Sequence, residues 1–196
     1  MKTSWLISVA AILALMFFPI EQSHAGFGLK AGGNIGRGKM GNESNSIPSR
    51  TMNALAVYGM PGYSFMGFLF GALLEYRTVG QTTSEADAGN TNLRGSGYTG
   101  GLAVGYDFLM FHGVFGYDFM GQYKLSNSTS TGQDSVYTAP AGYRLMVGYR
   151  VIPMFSADFY YSDHKYSKNS MGGTETDLSG DKLKDTRYGI GLSFHF

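Results

Sequence analysis

The feature that most constrains this chain is an alternation of period two held from residue 111 to residue 125. Phe111, Gly113, Phe115, Tyr117, Phe119, Gly121, Tyr123 and Leu125 share one parity; His112, Val114, Gly116, Asp118, Met120, Gln122 and Lys124 share the other. Successive side chains of a strand point to opposite faces, so this is a strand with one aromatic face and one small or polar face. The pattern recurs at Tyr137–Tyr149, where Arg144 and Arg150 lie opposite Tyr143, Leu145, Val147 and Tyr149. It recurs again from Met66 to Tyr76, opposed by Glu75 and Arg77, and at the C-terminal end. Extended along the chain, the reading gives strands near 26–38, 50–60, 64–78, 93–108, 111–125, 136–150, 153–166 and 184–196. The second, with Ala54-Leu55-Ala56-Val57, is apolar on both faces and its register is open. Each is longer than the five or six residues usual in soluble sheets and matches a tilted strand crossing a bilayer.

The gaps between strands alternate in length. Those near 39–49, 79–92, 126–135 and 167–183 are long and polar; those at Met60–Tyr63, Leu109-Met110 and Val151–Pro153 are tight. Short turns at one end and long loops at the other organise outer-membrane barrels. An even strand count brings both termini to the short-turn end, expected to be periplasmic.

The first 25 residues read differently. Lys2 precedes an apolar run from Trp5 to Phe18, Pro19 breaks it, and Ser23-His24-Ala25 supplies the small residues of a cleavage site. That is the pattern of a secretory signal peptide, with residues 26–196 as one barrel domain. The run is shorter than a membrane-spanning helix requires.

Composition narrows the classes. A formal charge of +1 offers no basic footprint for nucleic acid, and the absence of cysteine removes disulfides and thiolate metal sites. The 29 glycines and 28 Phe and Tyr residues in a chain of 196, at a mean hydropathy of −0.09, fit neither a helical membrane protein nor a disordered chain. A soluble eight-stranded barrel would turn its apolar face inward, but so large an aromatic face exceeds what eight strands enclose. Facing lipid, it needs no partner. Tyr58, Tyr63, Tyr76, Tyr98, Tyr106, Tyr123, Tyr137 and Tyr149 are then expected in the interfacial girdles.

With its strand count, its loop pattern and the ending Tyr188-x-Ile190-x-Leu192-x-Phe194-x-Phe196, the chain resembles the small eight-stranded outer-membrane barrels, the class of OmpX and the OmpA transmembrane domain. The resemblance implies an all-β, antiparallel, up-and-down transmembrane barrel in a Gram-negative outer membrane. It also implies that the terminal aromatic strand is an assembly signal for the barrel-assembly machinery, and that lipid and lipopolysaccharide are the surroundings of a monomer. No peptidoglycan-binding domain is expected after the barrel, so that role of OmpA is not implied.

The polar face should line the lumen. Lys30, Glu75, Asp118, Lys124, Arg144, Asp158 and Arg187 form the candidate charge cluster. Buried charges require partners, so Arg144 is expected between Asp118 and Asp158. Gly95-Ser-Gly97-Tyr-Thr-Gly100 matches a dinucleotide fingerprint but no helix follows it, leaving a small-residue barrel face as its reading. Ser162, Asp163 and His164 are adjacent on a strand and cannot converge as a triad. His112 and His195 are expected inward near the short-turn end, and His164 near the outer rim. No cofactor or metal site is expected. The reading is a non-catalytic surface or structural protein with a plugged lumen; a lipid A-modifying enzyme and a narrow solute channel are the alternatives.

Overall fold

A computed structural model describes residues 25–42, 50–82, 93–127, 134–152, 154–178 and 180–196. The expected signal peptide, apart from Ala25, lies outside them. The strands are β1 (Gly26–Asn42), β2 (Arg50–Phe65), β3 (Phe68–Thr82), β4 (Leu93–Phe108), β5 (Phe111–Asn127), β6 (Ser135–Ile152), β7 (Phe155–Met171), β8 (Thr174–Asp177) and β9 (Leu183–His195). Neighbours are antiparallel in the order β6-β5-β4-β3-β2-β1-β9-β7, and β6 pairs with β7, so the long strands form a closed up-and-down barrel. The short β8 folds back on the end of β7 as a hairpin and takes no part in closure. Closure leaves the eight long strands no unpaired edge, the condition a sheet must meet in hydrocarbon.

Outward residues form a continuous apolar band. On β3 it runs Phe68, Phe70, Leu74 and Tyr76; on β9, Tyr188, Ile190, Leu192 and Phe194, continued just past its end by Phe196. Leu102 and Ile190 are each 64% exposed while Arg144 is 0% exposed, so burial is inverted relative to a soluble protein. The band spans about nine residues on each strand, the length a tilted strand needs to cross a bilayer. Beyond it, toward the long loops, outward positions become polar.

The structure assigns the register of β2: Met52, Ala54, Ala56, Tyr58 and Met60 face inward and Leu55 and Val57 outward. The tight turn expected at Met60–Tyr63 is displaced. β2 continues through Pro61, where its ladder to β3 is interrupted at Met60 and Pro61, and turns at Met66-Gly67 with both residues at positive φ.

The main correction concerns parity. In β5 the ladder to β4 shifts, with Gly100 opposite Met120 but Gly101 opposite Asp118, so Phe119 is an extra residue. Gly121 sits at φ 140°. Beyond this bulge the faces of β5 exchange: Tyr123 turns inward and Gln122 and Lys124 turn outward. In β6, at the same height, Ala139 has φ 53° and Tyr137 likewise lies inside. Tyr58, Tyr123 and Tyr137 are therefore lumen residues and do not belong to the girdle. Gly95 and Gly97 of the fingerprint-like motif make room for Tyr123, since an added Cβ at either would overlap it.

An added Cβ at Gly121 would also overlap the Tyr98 carbonyl oxygen, whereas at Gly113 the nearest atom is the Met146 carbonyl oxygen at 4.0 Å. Gly121→Ala is expected to cost about 1–3 kcal/mol, and Gly113→Ala less than about 0.5 kcal/mol, in urea unfolding from lipid vesicles. Equal effects would contradict the bulge.

Candidate functional site

Alternation on every strand delivers polar side chains to a lumen that eight strands leave little wider than the side chains that enter it. They collect in two groups. The larger lies between two apolar clusters, one containing Met40, Met52, Tyr123, Tyr137 and Tyr166, the other Met60, Leu73, Val114 and Met146. Arg144 is at its centre. Its Nε and Nη2 donate to Asp118 Oδ2 at 2.9 and 2.5 Å, Nη1 to Glu75 Oε2 at 2.8 Å, and Nη2 to Thr99 Oγ1 at 2.7 Å. Asp118 Oδ2 also lies 2.7 Å from His164 Nε2. Glu75 takes Arg187 Nη2 on its other oxygen at 3.1 Å and the Tyr160 hydroxyl on Oε2 at 3.1 Å. Arg187 Nε approaches Asp185 Oδ1 at 3.4 Å, and Arg77 Nη2 approaches Asp185 Oδ2 at 2.8 Å. Arg77 also donates to the Tyr166 hydroxyl and stacks 5.1 Å from the Tyr123 ring centroid.

These contacts form one chain, Arg77–Asp185–Arg187–Glu75–Arg144–Asp118–His164. The guanidinium groups of Arg77, Arg144 and Arg187 are matched one for one by the carboxylates of Glu75, Asp118 and Asp185. Planar guanidinium forks suit such multidentate pairing.

The second group lies near the short-turn end. Asp158 is 3.9 Å from Lys30 Nζ and 2.9 Å from His112 Nε2, and it accepts from the Tyr58 hydroxyl at 3.0 Å. Nearby, Ser156 Oγ and His195 Nε2 are 3.0 Å apart, and His195 Nδ1 lies 4.0 Å from Asp107 Oδ2. The order of atoms is that of a hydrolase triad, but the setting is not. Asp107 is held by Arg150 at 2.9 Å, and Ser156 has no exposed surface through which an acyl group could reach its hydroxyl.

Of the residues expected in one cluster, Glu75, Asp118, Arg144 and Arg187 come together, while Lys30 and Asp158 belong to the lower group. Asp158 does not reach Arg144 because it pairs opposite Gly148, four residues nearer the short turns. Its expected place is taken by Glu75, brought from β3 across the lumen. Lys124 is outside, 2.7 Å from Asp134, for the parity reason above. Sequence reasoning missed Arg77, Thr99 and Asp185 as cluster members and placed His164 at a rim, although it is wholly buried. Asp185 shares the parity of Arg187, which was the available signal; Thr99 carried none. Ser162 also points inward, and Asp163 points out toward Lys184.

No protein-family model matches the chain, and no curated protein matches it. Solved structures do. Neisserial surface protein A is similar at 18% identity and a TM-score of 0.52, covering 88% of this chain and 99% of its own. OprG of Pseudomonas aeruginosa matches at 13% identity and 0.52, covering 89% and 98%. Ail of Yersinia pestis, crystallised with a heparin analogue, matches at 11% and 0.51, covering 87% and 99%. The chain has the fold of the small eight-stranded outer-membrane barrels.

Removing one member of a buried ion cluster costs about 3–5 kcal/mol, because its partners are left uncompensated. Arg144→Met is expected to destabilise the barrel by that amount in urea. Adding Glu75→Gln and Asp118→Asn should recover part of the loss; adding Asp158→Asn to Arg144→Met should recover none. Recovery by Asp158→Asn would contradict the assigned pairing.

Proposed function

We propose that this protein is a non-catalytic, monomeric outer-membrane barrel with a structural plug in its lumen and a surface-contact role for its long loops. The one-for-one pairing of Arg77, Arg144 and Arg187 with Glu75, Asp118 and Asp185 carries this reading. Charges that neutralise one another in a lumen filled by side chains hold an interior closed. The apolar band supports residence in the outer membrane, with lipid and lipopolysaccharide as its surroundings, and a signal peptide ending at Ala25 would deliver the chain there. On this reading both termini are periplasmic, since β1 begins and β9 ends beside the short turns, joined by Leu29 and Phe196 through backbone hydrogen bonds of 2.9 and 2.8 Å.

The terminal strand has a second role in this account. Phe196 is 61% exposed and Phe194 and Phe196 stack outward, so they are free to be recognised by the barrel-assembly machinery before closure. Deleting Phe196 should slow insertion in pulse-chase experiments while leaving the unfolding midpoint of the assembled barrel nearly unchanged. Unaltered assembly kinetics would remove the signal.

The mature protein should fractionate with the outer membrane, show heat-modifiable gel mobility, and leave the lipid A mass spectrum unchanged when it is expressed or deleted. A lost or gained acyl chain would replace the structural reading with an enzymatic one.

A further inference from the structure

The short turns of this barrel are built from residues that turn chemistry alone would not select. Tight hairpins usually place Gly, Asn or Asp where φ is positive. Here Met66 has φ 49° and Leu109 has φ 56°, so two separate turns hold a large apolar side chain in a left-handed conformation. The flanking residues are apolar too: Phe65 and Phe68 at the first turn, Phe108 and Phe111 at the second. Ile152 and Met154 border the third. Met66 is 69% exposed and Met154 50%. In water such tips bear the backbone strain and gain nothing from their side chains. As a continuation of the lipid-facing surface, each side chain gains burial.

Charged side chains at this end are turned away from the outer wall. Lys30 and Asp158 are buried beside each other, and Arg150 and Asp107 pair at inward positions at 2.9 Å. The outward positions there carry Phe27, Tyr63, Tyr106, Tyr149 and Phe194.

The height of the wall agrees. From Phe68 to Tyr76 on β3, and from Phe196 back to Tyr188 along β9, is eight residue steps. At a tilt near 40° each step rises about 2.5 Å, so this wall is about 20 Å tall, against an apolar band of about 25 Å in outer-membrane barrels. The turn tips supply the difference, which puts them inside the hydrocarbon boundary. At the other end the strands overshoot the band. There β3 runs on from Tyr76 to Thr82, β6 reaches back from Tyr143 to Ser135, and β7 continues from Tyr161 to Met171.

We infer that the three short turns form a lipid-docking surface, sunk in the acyl-chain and glycerol region of the leaflet on their side, with Met66, Leu109 and Met154 at the tips. Continuity with the apolar band selects lipid as the occupant over a soluble partner or a second copy of the chain. The inference rests on the membrane reading above and sets the depth at which the barrel sits: its turns are immersed and its loop end stands clear.

The chain contains no cysteine, so single-cysteine variants each report one position. Met66→Cys, Met154→Cys, Leu102→Cys and Thr174→Cys, labelled with nitrobenzoxadiazole, are folded into phosphatidylethanolamine–phosphatidylglycerol vesicles, and emission and quenching by acyl-brominated lipid are read. Leu102 lies on the outward band and Thr174 on the exposed β8 hairpin. The Met66 and Met154 sites should emit to the blue and be quenched as the Leu102 site is. If they behave as the Thr174 site does while Leu102 is quenched, the inference falls and the membrane reading stands; if Leu102 is not quenched either, both fall. Blue-shifted emission without acyl-chain quenching would assign the tips to a second copy and overturn the inference as well. A further measurement separates lipid contact from turn chemistry. Asn tolerates positive φ better than Met or Leu. Met66→Asn combined with Leu109→Asn should therefore raise the urea midpoint in vesicles if the tips stand in water, and lower it if they are immersed. A raised midpoint would overturn the inference.

Discussion

Hydrogen-bond closure is the constraint on which the remaining structure depends. In hydrocarbon a backbone N–H or C=O has no water to turn to, so the sheet must end where it began, and here β1 finds β9 along Lys30 to Asn42. Closing with so few strands leaves a lumen little wider than the side chains that enter it. Alternation then sends half of every strand into that space whether or not it is apolar. The charges inside are buried and balance one another, in the chain from Arg77 to His164, through contributions from β3, β5, β6, β7 and β9.

Buried ion clusters stabilise a fold less than well-packed apolar groups of equal size, yet breaking one is costly. The arrangement in this barrel therefore acts as a constraint on register more than as a source of stability. Arg144 meets Asp118, Glu75 and Thr99 together only if β3, β4, β5 and β6 stand at the observed stagger. A one-residue slip would turn each of these side chains toward lipid. The apolar clusters above and below, centred on Tyr123 with Tyr166 and on Leu73 with Met146, close the plug at both ends.

The sequence made the strand number, the loop asymmetry and the outward band legible because period-two alternation is local and long. It made Arg144 legible as an inward residue for the same reason. What it could not show was anything depending on a change of parity or on stagger between strands. The bulge at Phe119–Gly121 inverted Tyr123 and Lys124 because one extra residue exchanges every face beyond it, and a glycine at an alternating position carries no mark of positive φ. One of the two partners expected for Arg144 was misassigned for the second reason, while Asp118 stands where it was expected. Adjacency in the meander suggested Asp158, but the pairing of Arg144 with Ser162 places Asp158 lower, and Glu75 arrives from across the barrel. Such a contact has no signature along one strand.

The packed side chains of the lumen, its charges paired among themselves, are held to seal it, and electrical recording in planar bilayers tests this most directly. The unaltered barrel should insert without producing stepwise conductance at any voltage the membrane withstands. Arg144→Met with Glu75→Gln and Asp118→Asn, which removes charge but keeps volume, should be equally silent. Steady, reproducible single-channel steps from the unaltered barrel would contradict the account and make the charged chain the lining of a pore.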